Sequence, residues 1–168
     1  MEISIDPNEA PTIMREAAEK AVLWAKANYR KDLDFSPHSL AVVEEILETR
    51  ALSIPKTRLG RMFMRKTVIN DISSICVLVG AYIGEVLRRQ FGGTWHIDSS
   101  FYGPAFALSV FDGKVFPIDK VCKRLYNGPG DSIWGFYQMV LLIKDHPDPK
   151  TWPQQCGPAD AGTISPRR

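Results

Sequence analysis

The sequence predicts an α+β domain in which helices surround a long central helix that packs on a small antiparallel sheet. Three observations point there. Apolar residues recur at Val68, Ile72, Ile75, Val79, Ile83, Val86 and Leu87 with the i, i+3, i+4 spacing of one helix face. After Gly92-Gly93 the pattern changes to short runs with a period of two and a Asp-Gly turn signal. Further amphipathic helices are marked on either side by Ser, Pro and Gly at their ends. With 168 residues, 45% of them hydrophobic, the chain suffices for one domain with a real core.

In chain order, Asp6-Pro7-Asn8 reads as a turn. A first helix follows from Pro11 or Thr12 to Tyr29, with Ile13, Ala17, Ala21, Trp24 and Ala25 or Asn28 inward and Thr12 as its cap. Ser36-Pro37 opens the second, with Leu40, Val43, Ile46 and Leu47 inward and Glu44, Glu45 and Glu48 outward, ending near 50–52 ahead of Pro55. The central helix is expected over 68–91. Cys76, Val77, Leu78, Ala81 and Tyr82 widen its apolar face, so it is covered on most sides. Ser73, Ser74 and Glu85 interrupt its apolar run, which falls short of the ~20 residues that cross a bilayer; it reads as a core helix, not a membrane span. Gly80 and Gly84, one turn apart, each cost about 1 kcal/mol relative to Ala and imply a second backbone packed closely there. Gly92 stops the helix in a left-handed conformation.

Strands are expected at 94–98, 105–111 and from Lys114 to 117 or 118, with Asp112-Gly113 as the hairpin turn. In the favoured register Trp95 and Ile97 face the central helix and His96 and Asp98 face away. A short helix covers 117–125, and a last one starts at Asp131-Ser132 with Ile133, Phe136, Tyr137, Val140, Leu141 and Ile143 on its apolar face. The domain spans 1–144. Residues 145–168 hold five prolines and read as a tail.

The net charge of +2 hides an asymmetry. Residues 1–49 carry ten acidic and five basic side chains, whereas 50–144 carry thirteen basic and six acidic. From Arg50 to Lys66 there are six basic residues and no acidic one, with Met62, Phe63 and Met64 among them. Arg58, Arg61, Arg65 and Lys66 could thus form an anion or nucleic-acid surface, but no DNA- or RNA-binding signature accompanies them, and arginines facing solvent account for the run. Met1 to Asp6 has neither the basic nor the apolar region of a signal peptide, and Cys76, Cys122 and Cys156 are far apart and odd in number. A reduced cytoplasmic protein is expected.

Chemistry has few candidates. His38 opens a helix and His146 adjoins the tail, which leaves His96, two residues from Asp98 on one strand face and open to convergence with Glu85. A carboxylate-oriented imidazole is a component of many hydrolytic sites. No nucleophile motif accompanies it, and one His with two carboxylates makes a poor metal site, so neither a metal nor a cofactor is expected. An exposed polar strand face explains His96 and Asp98, and Glu85 reads as an exposed ion pair with Arg88 or Arg89. Lys120, Lys123 and Arg124 form a second basic cluster, and Gly128-Pro129-Gly130 loosely resembles an anion cradle. Trp95, Tyr102, Trp134 and Trp152 either fill the sheet–helix interface or anchor a protein partner.

Several short blocks resemble a family of small uncharacterised bacterial proteins: Leu33 to Leu40, Gly80 to Val86, Gly92 to Trp95, and Pro117 to Leu125 with Gly128 and Asp131-Ser132. The resemblance covers roughly 32–140 and implies a cytoplasmic α+β domain without an established activity or catalytic residues. The leading expectation is a non-enzymatic protein that works by binding another protein, as an immunity or regulatory factor. The rivals are a small-ligand binder or hydrolase-like enzyme using Glu85, His96 and Asp98, and an anion or nucleic-acid binder using the basic stretch.

Overall fold

The computed structural model describes residues 6–55, 57–99 and 104–145. Its elements are α1 (Ala10–Tyr29), α2 (Ser39–Ala51), α3 (Arg58–Met62), α4 (Lys66–Phe91), β1 (Thr94–Asp98), β2 (Ala105–Val110), β3 (Gly113–Val115), α5 (Pro117–Asn127) and α6 (Ile133–Asp145), with 3-10 turns before α1 and α6. This is the expected α+β arrangement, with a three-stranded antiparallel sheet in the order β1-β2-β3. The expected tail, with His146 and Trp152, lies outside the described residues, as does Tyr102.

Helix α4 is the axis of the molecule. Its second half, from Val79 to Leu87, is buried without a break. By length and composition alone α4 would cross a membrane, since its 26 residues include a window of mean hydropathy 1.5. The apolar run is therefore longer than the sequence count allowed, yet this buried half lies under α1, α5 and the sheet, as a core helix does. Against it α1 lays Met14, Ala17, Ala18, Ala21 and Ala25. The alanine row lets the two helices approach closely, and it corrects the expected face: Ile13 and Trp24 are only partly buried and Asn28 is exposed. Thr12 lies within α1 and does not cap it.

Gly80 and Gly84 mark close contacts, of two kinds. A Cβ on Gly80 would lie 2.5 Å from the Ile118 Cα, so α5 does bring its backbone there. A Cβ on Gly84 would lie 2.1 Å from Cζ2 of Trp95, so the neighbour at that turn is an indole ring. α4 ends at Gly92 with φ 77° and ψ −160°, not in the left-handed helical well; this region is essentially restricted to glycine.

In the sheet Trp95 pairs with Leu108, Ile97 with Phe106, and Leu108 with Val115. Trp95, Leu108 and Val110 are buried toward α4. The hairpin turn falls one residue earlier than expected: Val110 pairs with Gly113, and Phe111-Asp112 make the turn, with Phe111 at φ 52°. At the start of α2, Ser36 accepts from the Ser39 amide at 3.3 Å, while Pro37 and His38 form a lead-in turn. The buried Tyr82 hydroxyl holds that lead-in, accepting from the Phe35 amide at 2.9 Å and sharing a hydrogen bond with Ser39 at 2.5 Å.

Candidate functional site

The structure divides the expected polar constellation in two. Glu85 is buried, contrary to the exposed ion pair read from its spacing. The i, i+3 partner is right: Arg88 donates to both carboxylate oxygens, at 2.9 and 3.0 Å. The reason for burial is Trp95, whose Nε1 donates to Oε1 at 2.9 Å while its ring closes over Gly84. A charge so placed is stable because its oxygens are bonded on both sides. A shallow cleft of about 250 Å³ beside it is lined by Pro11, Arg15, Glu85, Arg88, Gly93, Thr94 and Trp95.

His96 and Asp98 turn the other way, as strand alternation requires. Asp98 is nonetheless buried, not part of an exposed strand face. Lys114 on β3 bonds Asp98 Oδ2 at 2.5 Å, and His96 Nε2 lies 3.8 Å from the same oxygen. On its other side His96 Nδ1 is 3.3 Å from Ser109 Oγ. Serine, imidazole and carboxylate thus stand in a row, with Ser109 unforeseen by the sequence reading. The row is poorly set up for nucleophilic catalysis. The carboxylate is neutralised by a lysine, the imidazole–carboxylate separation exceeds a hydrogen bond, and Glu85 belongs to a different face.

The second basic cluster is not an anion site. Lys120 pairs with Asp131 at 2.9 Å and Lys123 with Asp119 at 2.8 Å. Arg124 is 2% exposed and donates to Glu44 and Glu48, two side chains the sequence placed outward. The cradle after Gly128 is likewise filled from within. Glu44 Oε2 accepts from the Ile133 amide at 2.6 Å and the Trp134 amide at 3.3 Å, so the anion at the start of α6 is the protein's own carboxylate. Burial pushes the Glu44 carboxyl up, but hydrogen bonds from Arg124 and the Ile133 amide outweigh it and hold the pKa below the ordinary value.

The basic stretch forms a more distinctive surface. Arg50 pairs with Asp71 on α4, and the Arg61 guanidinium lies over the Tyr126 ring at 5.5 Å. Arg65 and Lys66, at the start of α4, are exposed, and Arg58 begins α3. Among these charges stand Leu52, Leu59, Met62 and Phe63, between 65% and 76% exposed. Leu59, Met62 and Phe63 are three and four residues apart, so they share one face of α3. Thr57 caps that helix, accepting from the Gly60 amide at 3.1 Å. On α4, Val68, Ile69 and Val77 are exposed as well. Leu52 lines a cleft of about 190 Å³ that also includes Ile54, Tyr126 and Pro129. Met62 and Phe63 were visible in the sequence as interruptions of the charge run; that both are largely exposed was not.

These features define an α+β domain with an apolar surface set in basic residues. No family model matches the chain, nor does any curated protein or solved structure. The resemblance carried by the short sequence blocks therefore stays an expectation.

Proposed function

We propose that this is a non-enzymatic cytoplasmic binding protein that docks an acidic partner protein through the surface formed by α3 and the start of α4. The observation that carries the reading is the exposure of Leu52, Leu59, Met62 and Phe63 together, within a stretch that holds basic but no acidic residues. Soluble domains rarely leave large apolar side chains clustered this way unless another surface covers them. The charge selects the occupant: a partner with apolar anchors and flanking carboxylates fits, whereas a second copy would set the same cations against each other. The cleft beside Leu52 is large enough for one partner side chain, in the manner of an interface anchor. An immunity or regulatory role is consistent with such docking.

The test compares the parent with Met62→Glu/Phe63→Glu and with Leu23→Glu, an exposed position on α1. Partners retained from a cell extract are identified, purified and titrated individually against each variant. The expected result is one acidic protein that binds the parent and Leu23→Glu alike, weakens with salt, and loses at least tenfold in affinity to the double variant. Equal binding by the parent and both variants overturns the reading. So does binding of this surface to anionic phospholipid vesicles, or concentration-dependent self-association abolished by the double variant.

A further inference from the structure

The contact between α4 and α5 contains a feature that docking does not explain. The glycine at position 80 lets the α5 backbone pack directly on α4, since a Cβ there would lie 2.5 Å from the Ile118 Cα. The two helices run past one another in opposite directions, Pro117 lying at Gly84 and Ile118 at Gly80. One turn further along, in the same sense, α4 presents Cys76 and α5 presents Cys122. Both are free thiols, Cys76 buried and Cys122 partly exposed, and each lies close enough to shift the other's ionisation. Close backbone approach is the condition that a disulfide between two helices needs, since Cβ atoms must come within about 3.5–4.5 Å.

We propose that Cys76 and Cys122 are a redox pair, which a hydroperoxide converts into a disulfide that fastens α5 to α4. The two thiols have different environments, and these set their roles. Cys122 lines an open depression with Arg61, Asp119, Lys123, Tyr126 and Asn127, where a small oxidant can reach it. It is the accessible thiol of the two, and the neighbouring Cys76 thiol lowers its pKa, so it is the one that ionises and attacks. Cys76 is held protonated by that contact and by burial, and serves as the resolving thiol.

The steps balance. The Cys122 thiolate attacks one oxygen of hydrogen peroxide, the O–O bond breaks, and sulfenic acid and hydroxide form. The Cys76 sulfur then attacks the Cys122 sulfur, the S–O bond breaks, and the departing hydroxide takes the Cys76 proton as water. Two thiols are oxidised to one disulfide, and one peroxide is reduced to two waters. The bond closes a loop containing the rest of α4 and the whole sheet. Such a cross-link restricts the unfolded chain and should raise Tm on the order of 10 °C.

The experiment uses the full chain with Cys156→Ser, which leaves only these two thiols. After peroxide and denaturing alkylation, the expected product is monomeric, has lost two hydrogens, takes up no alkylating agent, and yields a peptide pair joined through Cys76 and Cys122. Its Tm rises and returns to the starting value with dithiothreitol. Adding Cys76→Ser or Cys122→Ser should abolish the shift while leaving the untreated Tm within a few degrees. Sulfinic acid at Cys122 with Cys76 still alkylatable overturns the proposal. A product cross-linked only between molecules does the same, as does an internal disulfide that leaves Tm unchanged.

Discussion

Replacing Gly84 with alanine tests the contact around which the core is assembled. The new Cβ would lie 2.1 Å from Cζ2 and 2.3 Å from Cη2 of Trp95, and 3.3 Å from Cγ of Pro117. Carbon atoms settle near 3.5–4.0 Å, so the ring must retreat by roughly 1.5 Å. It has nowhere ready to go, because Trp95 is buried and its Nε1 is fixed on Glu85 at 2.9 Å. Overpacking costs about 1–3 kcal/mol, and leaving the indole N–H or the carboxylate poorly paired costs a further ~1–3 kcal/mol. The better helix propensity of alanine returns about 1 kcal/mol. The net loss is about 3 kcal/mol, which lowers Tm on the order of 10 °C in a chain of this size. The assay is thermal melting of Gly84→Ala, Trp95→Phe and the double variant. Trp95→Phe removes the clashing edge of the ring, so the double variant should fall short of the sum of the two single losses. Gly135→Ala, where the nearest side-chain atom is 3.7 Å from the new Cβ, should leave stability unchanged or slightly raised. A Gly84→Ala melt at or above the parent's, or strictly additive losses, refutes the reasoning.

Three further outcomes are expected. Because the Glu44 pKa is lowered in the folded protein, its stabilisation is complete above the ordinary glutamate value near 4.5 and disappears as pH falls through the folded value. Urea midpoints of the parent should therefore drop more steeply below pH 4.5 than those of Glu44→Gln, and parallel curves would show that the α6 amides do not rely on this charge. Tyr82→Phe removes the acceptor of the Phe35 amide and the partner of Ser39, and should cost ~1–3 kcal/mol by urea denaturation; a loss below a few tenths would show water replacing the hydroxyl. Mixed DNA or RNA should not bind appreciably at physiological salt, and micromolar binding abolished by alanine at Arg58, Arg61, Arg65 and Lys66 would assign the basic stretch to nucleic acid.

The periodic parts of the fold were legible because their signal is local. The switch from helical spacing to alternation at Gly92-Gly93 located α4 and β1 closely, and two glycines one turn apart announced close packing. Features that depend on distant parts of the chain were not legible. Glu44 and Glu48 have the spacing of an outward helix face; Glu48 stays exposed, but Arg124, about 80 residues away, pairs with both and leaves Glu44 partly buried. Glu85 pairs with Arg88 as expected, but its burial follows from an indole contributed by the next element. Asp98 reads as exposed until β3 places Lys114 against it. The hairpin slipped by one residue because Phe111 adopts a positive φ, which phenylalanine seldom does, while Gly113 remains in the strand. The basic and apolar composition of 50–66 was plain; the uncovered face of α3 required the fold.

Helix α4 is one element with two stabilities. From Lys66 to Asp71 its side chains are exposed, whereas from Val79 to Leu87 it is buried throughout. Unpacked turns depend on helix propensity, which is marginal over so short a length, so their amides should exchange with solvent through small openings. Those of the buried half should exchange only through unfolding of the whole domain. The helix thus carries a gradient of protection along its length, rising between Ile72, its first buried residue, and Val79. A partner seated on Met62 and Phe63 would shift that gradient toward Lys66. Its arrival could therefore be followed amide by amide, even where the fold does not change.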